Sequence, residues 1–380
     1  MAENKTPIHQ LHEQGQSVWL DYIRRGIIED GELERMIAEY DLRGVTSNPS
    51  IFEEAIGKST DYDAAFDAAE EGATAGKVYE LAALEDIRAA ADVFRPVFDA
   101  TDGNDGFVSL EVSPELADDA DATLEEARRL WHALGRRNVM IKVPGTAPCI
   151  PAIEQLIAEG INVNVTLLFS LANYEKVMEA YLRGLERRAE TGGALNHVNS
   201  VASFFVSRVD VAVDAKLAEM LKAETDPAKQ ERIRSVMGRA AVDNAKMAYA
   251  RFREIFSGER WERLCDRGAK VQRPLWASTS TKNPEYRDVI YVEELIGPDT
   301  VNTMPLATVK AFADHGVARR TVDADMDRAR AELATLAELG IDLDAVTEQL
   351  QVEGVEKFAK SFAGMIATVG EKLKRVAAKA

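Results

Sequence analysis

The chain has 380 residues, 46% of them hydrophobic, and a formal net charge of −18. That is ample for a large core, and the charge argues against nucleic acid or an anionic membrane as a partner, because both reward clustered positive charge. No apolar run approaches the ~20 residues that span a bilayer, and Met1-Ala2-Glu3-Asn4-Lys5 lacks the basic-then-apolar pattern of a secretory signal. Cys149 and Cys265 stand far apart, and the five histidines form no ligand spacing, so metal and disulfide chemistry have no motif here. A cytoplasmic protein is the expectation.

Short β-branched runs alternate with long helical stretches. Strands are predicted near Ser17–Asp21, Gly44–Ser47, Phe107–Val112, Asn138–Val143, Ile161–Thr166, Asn196–Ser203, Val271–Ser278 and Thr300–Thr303. Most are separated by at least one helix, which implies parallel strands with crossover helices. Eight such repeats fit a closed (β/α)8 TIM barrel of the α/β class, with an open doubly wound sheet as the alternative. One barrel domain over residues 1–380 is expected, with extra helices at about 56–98 and 323–380. Neither a dinucleotide glycine fingerprint nor a phosphate-loop lysine motif follows any strand.

Helix punctuation agrees with that pattern. Ser50-Ile51-Phe52-Glu53 has the spacing of a capping box. Ser113-Pro114 predicts the start of a helix running toward Leu134, and Asp226-Pro227 a long helix reaching about Phe256. Beyond strand eight, Asp323–Leu339 and Val355–Val376 read as amphipathic packing helices, the second ending in Lys372, Lys374 and Arg375.

Lys142 is the oddity of the fourth strand, a charge within Asn138-Val139-Met140-Ile141-Lys142-Val143-Pro144-Gly145-Thr146. An ammonium drawn out of water loses hydration, which favours the neutral amine, and a neutral amine can condense with a carbonyl. The plainer reading is a strand-end lysine that lays its stem on the core and keeps its head in water. Other strand ends supply Asp21, Asn48, Glu111, Asn164 and Thr166. In barrels of this kind chemistry collects at that rim. Two carboxylates in different environments can divide acid and base work beside an imine-forming lysine. Each also has a structural reading: Asp21 could cap the next helix, Asn48 before Pro49 is a common turn residue, and Thr166 and Asn164 could be polar packing. Glu111, flanked by Leu110 and Val112, would be costly inside a barrel without partners. Later in the chain, Ser203 and Arg208 end strand six and open a helix, and Ser280 and Lys282 follow strand seven. Two such clusters on adjacent strands suggest an anion site.

These motifs resemble those of the transaldolases, class I Schiff-base enzymes of the pentose phosphate pathway. The resemblance runs from about Val18 past Pro305. It is carried by Thr46-Ser47-Asn48-Pro49-Ser50, Ile141-Lys142-Val143-Pro144, Gly160-Ile161-Asn162-Val163-Asn164-Val165-Thr166-Leu167-Leu168-Phe169-Ser170 and Ser203-Phe204-Phe205-Val206-Ser207-Arg208. The length resembles the longer bacterial subgroup. The resemblance implies transfer of a dihydroxyacetone unit from a ketose phosphate (sedoheptulose 7-phosphate or fructose 6-phosphate) to an aldose phosphate (glyceraldehyde 3-phosphate or erythrose 4-phosphate), with no cofactor. It implies Lys142 as the imine-forming residue, Asp21 as the base during bond cleavage, and Glu111 with Thr166 and a water as the proton relay. Asn48 and Asn164 would hold substrate hydroxyls, and Ser203, Arg208, Ser280 and Lys282 the phosphate. Many relatives carry arginine where Lys282 stands, and a lysine keeps the charge but loses the fork. A monomer or homodimer is expected. Alternatives are an aldolase that releases dihydroxyacetone to water, a pyridoxal phosphate enzyme, which would be coloured, and a silent sugar-phosphate-binding barrel.

Overall fold

The computed structural model describes residues 6–70 and 72–377, with side chains to residue 375. Eight parallel strands form a closed ring: β1 Gln16–Leu20, β2 Gly44–Thr46, β3 Phe107–Glu111, β4 Val139–Pro144, β5 Val163–Leu168, β6 Ser200–Phe205, β7 Arg273–Ala277 and β8 Thr300–Met304. Each pairs with the next, and β8 pairs with β1 through Leu20 opposite Met304. Closure decides for the barrel over the open sheet. Most strands are buried along their whole length, which is why their sequences read as apolar runs rather than alternations. Some of the polar residues within them bond to each other inside the fold, as Ser203 does to Asn164.

Several predicted boundaries move, each for a local reason. β5 starts at Val163, because Asn162 is spent as a staple: its amide donates to the Arg137 and Val139 carbonyls and its carbonyl oxygen accepts from Asn199 N. β6 starts at Ser200 and runs on to Phe205. The capping box at Ser50 is not formed. Asn48 caps instead, accepting from Ile51 N at 3.1 Å with Pro49 in the first turn of the helix Pro49–Lys58. Ser113-Pro114 opens only a 3₁₀ turn, and Asp119 caps the helix Ala120–Leu134 by accepting from Ala122 N. The helix begun at Asp226-Pro227 stops at Arg234, since Gly238 turns left-handed (φ 67°) before a second helix, Ala240–Ile255. Residues 56–98 do hold extra helices, chiefly Ala75–Val93.

The last helix, Leu343–Ala377, starts twelve residues earlier than Val355 and is more than packing. It lies across the carboxyl ends of the strands. Gln351 Nε2 donates to the carbonyls of Leu167 (2.9 Å) and Gly145 (3.3 Å), at the ends of β5 and β4. Gly354 permits that approach, because a Cβ there would meet Leu167 at 3.0 Å. Leu167 itself holds a positive φ of 60°, where the β5–β6 register shifts. Farther along, Ser361 Oγ accepts from Ser50 Oγ at 2.8 Å, and Lys372 Nζ donates to the Ser59 carbonyl at 2.9 Å, fastening the helix to the one after β2.

Candidate active site

Strand register sets the centre of the site. Glu111 on β3 stands opposite Lys142 on β4, and Lys142 opposite Asn164 on β5. Parallel partners project to one side, so the three side chains meet inside the barrel near its carboxyl end. Lys142 is buried at 4% exposure, so it does not snorkel to water. Its Nζ lies 3.4 Å from Glu111 Oε2 and donates to the Ser47 carbonyl at 3.2 Å. The ring of Phe358, from the last helix, is centred 5.6 Å from the same nitrogen.

The two carboxylates occupy different surroundings. Burial pushes Glu111 up from 4.5 to about 7; Lys142 pulls the other way and Asp21 adds to the rise. Its contact with Lys142 is an ion pair without hydrogen-bond alignment, and neither carboxylate oxygen has a hydrogen-bond partner among the described residues. Asp21 also lies above the ordinary range, through burial of its carboxyl, opposed by Lys142, by the Thr46 hydroxyl and by Lys282. Thr46 Oγ1 donates to Asp21 Oδ1 at 2.7 Å and touches Thr303 Oγ1 at 2.7 Å. Asp21 does not cap the following helix, Arg25–Glu29, which has no side-chain cap.

A cavity of about 310 Å³ opens in front of Lys142. Asp21, Asn48, Lys142, Thr166, Ser203, Arg208, Ser280 and Lys282 are among its walls, so eight of the ten expected residues share one space. Glu111 and Asn164 are not among those walls. Glu111 backs Lys142 from behind, and Asn164 donates to Ser109 Oγ (3.1 Å) and accepts from Ser203 Oγ (2.7 Å). Thr166 Oγ1 is buried without a hydrogen-bond partner among the described residues. Asn48 uses its carbonyl oxygen for the helix cap, which leaves its NH₂ as a donor beside Lys142.

The cavity also has cationic walls. Arg208 sits in the first turn of the helix Ser207–Ala223 with its guanidinium over the Phe205 ring, 5.4 Å from the centroid. Asp210 does not pair with it, being held by Ala241 N and Tyr291 OH. Lys282 Nζ donates to Ser280 Oγ at 2.6 Å. Lys357, from the last helix, completes a trio. Burial and then Arg208 and Lys357 push Lys282 below its usual range; Arg208 and then burial do the same to Lys357. Three cations held close enough to disfavour one another make a site for an anion.

The family model for transaldolase/fructose-6-phosphate aldolase matches residues 18–369. The chain belongs to that family. It is 46% identical to the transaldolase of Trichodesmium erythraeum (strain IMS101) over 373 residues, 97% of each chain. It is 48% identical to the transaldolase of Parafrankia sp. (strain EAN1pec) over 369 residues, 97% of this chain and 98% of that one. With transaldolase 2 of Nostoc punctiforme (strain ATCC 29133 / PCC 73102) the identity is 46% over 372 residues, covering 96% and 97%.

Sequence reasoning missed Lys357, Phe358, Phe205 and Thr303 as cavity walls. Phe205 stands inside a quoted motif, two residues beyond Ser203 on the same strand face, and that spacing was a usable signal. Lys357 and Phe358 had only helical periodicity, which shows that a face is buried and not what it covers. No helix among the described residues is long and apolar enough to cross a membrane.

Proposed function

We propose that the protein is a transaldolase that moves a dihydroxyacetone unit between sugar phosphates through an imine on Lys142. The observation that supports this is the 3.4 Å contact of Lys142 with Glu111 beside a cavity that Lys142 shares with Arg208, Lys282 and Lys357. A ketose phosphate laid between them, sedoheptulose 7-phosphate or fructose 6-phosphate, puts its carbonyl at the amine and its phosphate at the cations. Lys142 Nζ bonds to the carbonyl carbon. Glu111, poised near neutrality, gives the carbinolamine oxygen the proton with which it leaves as water, and Thr166 orients that water. Asp21 takes the proton of the neighbouring hydroxyl as the carbon–carbon bond breaks, and the iminium accepts the electron pair. Asn48 and Asn164 hold the three-carbon unit until an aldose phosphate, glyceraldehyde 3-phosphate or erythrose 4-phosphate, arrives and the steps reverse. Ser203 and Ser280 complete the polar lining.

No step calls for a cofactor. This chemistry fits the non-oxidative pentose phosphate pathway in the cytoplasm, by one barrel domain acting as a monomer or homodimer. Both cysteines are free, and Cys265 is exposed. The test is incubation with fructose 6-phosphate, reduction with borohydride and peptide mapping. A three-carbon adduct on Lys142 is expected; no adduct, or an adduct elsewhere, overturns the reading. Product formed only with erythrose 4-phosphate present separates transfer from release of dihydroxyacetone.

A further inference from the structure

Glu111 faces a second cavity. A space of about 200 Å³ lies behind the Lys142 amine, and its walls include Ser47, Asn48, Phe52, Tyr79, Glu111 and Phe362. The two groups that Lys142 Nζ touches, the Ser47 carbonyl and the Glu111 carboxylate, both belong to residues of this rear wall. Asn48 is common to both cavities, while Lys142 and Thr166 border only the front one. The amine and Glu111 therefore form the partition. Phe358 and Phe362, one helical turn apart on the last helix, reach into the front and rear cavities respectively. Phe362 packs edge-on against Tyr79 (6.0 Å), and Tyr79 against Phe52 (5.6 Å), so aromatic rings wall the rear space. It reaches the surface past Gly76 and Glu80 on the helix Ala75–Val93; Glu80 is 36% exposed.

A Schiff-base cycle moves water twice. The carbinolamine takes a proton from the Glu111 carboxyl, loses its hydroxyl as one water and leaves an iminium and a Glu111 carboxylate. Hydrolysis brings one water back and returns that proton to Glu111. A sugar phosphate bound in the front cavity, with its carbonyl at Lys142 and its phosphate at the cations, would obstruct water on that side. We propose that the rear cavity is the water route of the reaction: water leaves and enters behind Glu111, and Glu111 carries the proton across the partition. The inference rests on the imine reading of Lys142. A 200 Å³ space holds roughly six waters at liquid density. Glu111, with a side chain only 4% exposed and both oxygens lacking a hydrogen-bond partner among the described residues, is the terminal group of that route.

The test obstructs the rear mouth without touching the partition. A side chain at Gly76 enters free space, since a Cβ there meets nothing within 4 Å. Gly76→Trp is compared with Gly76→Ala, and Glu80→Trp blocks the same rim from the next turn. Fructose 6-phosphate labelled with oxygen-18 at its carbonyl loses label to water each time the imine forms and hydrolyses. The expected result is label washout slowed at least about tenfold in either Trp variant, with Gly76→Ala unchanged, while the equilibrium amount of borohydride-trapped Lys142 adduct matches wild type. A passage is a kinetic barrier and leaves the equilibrium alone. Washout at the wild-type rate in both Trp variants, or slowing matched by an equal loss of adduct, overturns the water route. Absence of any adduct in the wild type overturns the imine reading instead.

Discussion

Glu111→Gln tests whether Glu111 sets the pH behaviour of the centre, as its proposed role requires. Burial raises this carboxyl from 4.5 to about 7 in the folded protein. The folded chain therefore binds the proton more tightly than the unfolded chain. Between those values it carries more protons, so this group's contribution to stability is full below pH 4.5 and falls as pH rises toward 7. The full change is about 3 kcal/mol. Glutamine keeps the shape and never ionises. Urea unfolding of both proteins at steps from about pH 4.5 to 8 should show wild-type stability falling by about 3 kcal/mol more than that of the variant across the window. The uniform offset from losing the contact with Lys142 leaves the slope difference intact.

The same substitution has a chemical readout. Wild-type imine trapping by borohydride should change with pH through an inflection near 7. The variant should lose that inflection and trap about 10²–10⁴ times more slowly, the usual worth of a positioned acid–base group. Parallel stability curves, or an inflection that survives in Glu111→Gln, would refute both the burial argument and the assigned role.

Lys142→Ala should abolish transfer and adduct formation while the far-ultraviolet circular dichroism stays native; transfer that persists shows the nucleophile is misassigned. Lys357→Ala removes one of three cations, and a charge-assisted contact is worth about 1.5–3 kcal/mol. KM for fructose 6-phosphate should rise roughly 10–100-fold with kcat nearly unchanged, while weak turnover of unphosphorylated fructose stays as it was; equal effects on both substrates count against a phosphate contact. Asn48→Asp keeps the helix cap and should leave Tm within about a degree or two, whereas Asn48→Ala should cost about 1 kcal/mol. Both should depress activity, because both lack the amide donor; full activity in either removes Asn48 from substrate binding.

What was legible in the chain follows from how locally each feature is determined. β3 and β4 could be read because a carboxylate and an amine interrupt short apolar runs, and only a buried, paired environment tolerates them. Glu111 and Lys142 then meet because adjacent parallel strands in register do so without help from the rest of the fold. The cap at Asn48 was misplaced by two residues because Ser50 has equal capping chemistry, and Pro49 decided it by preferring the first turn. Lys357 and Phe358 were out of reach for a different reason. Their place depends on where a helix crosses a barrel mouth more than 300 residues after β1, and the contacts that fix it, Gln351 to Leu167 and Ser361 to Ser50, are all long-range. The link through Ser109, Asn164 and Ser203 needs three strands at one height, which only closure of the barrel supplies.

The charge balance of the cavity explains how a strongly acidic chain can select an anion. The net charge of −18 is a sum over the whole chain, and exposed charges are screened over a Debye length of about 8 Å. Inside the cavity Arg208, Lys282 and Lys357 face two carboxylates, Asp21 and Glu54; Glu54 is engaged by Lys58 outside, and Lys142 is paired with Glu111. The local excess is positive where screening is weakest. A bound phosphate cancels that excess, and its effect extends to the chemistry. Burial raises Asp21, and Lys142, Thr46 and lastly Lys282 oppose the rise; a phosphate on Lys282 would weaken that last hold. Asp21 would then bind a proton more readily once substrate is seated, as the base proposed for the hydroxyl proton requires. On the roles proposed for Asp21 and Lys282, phosphate recognition and base strength would be coupled through one lysine. In Lys282→Ala, the pH at which cleavage is half-maximal should no longer differ between phosphorylated and unphosphorylated ketoses, and a persistent difference would show that the coupling runs elsewhere.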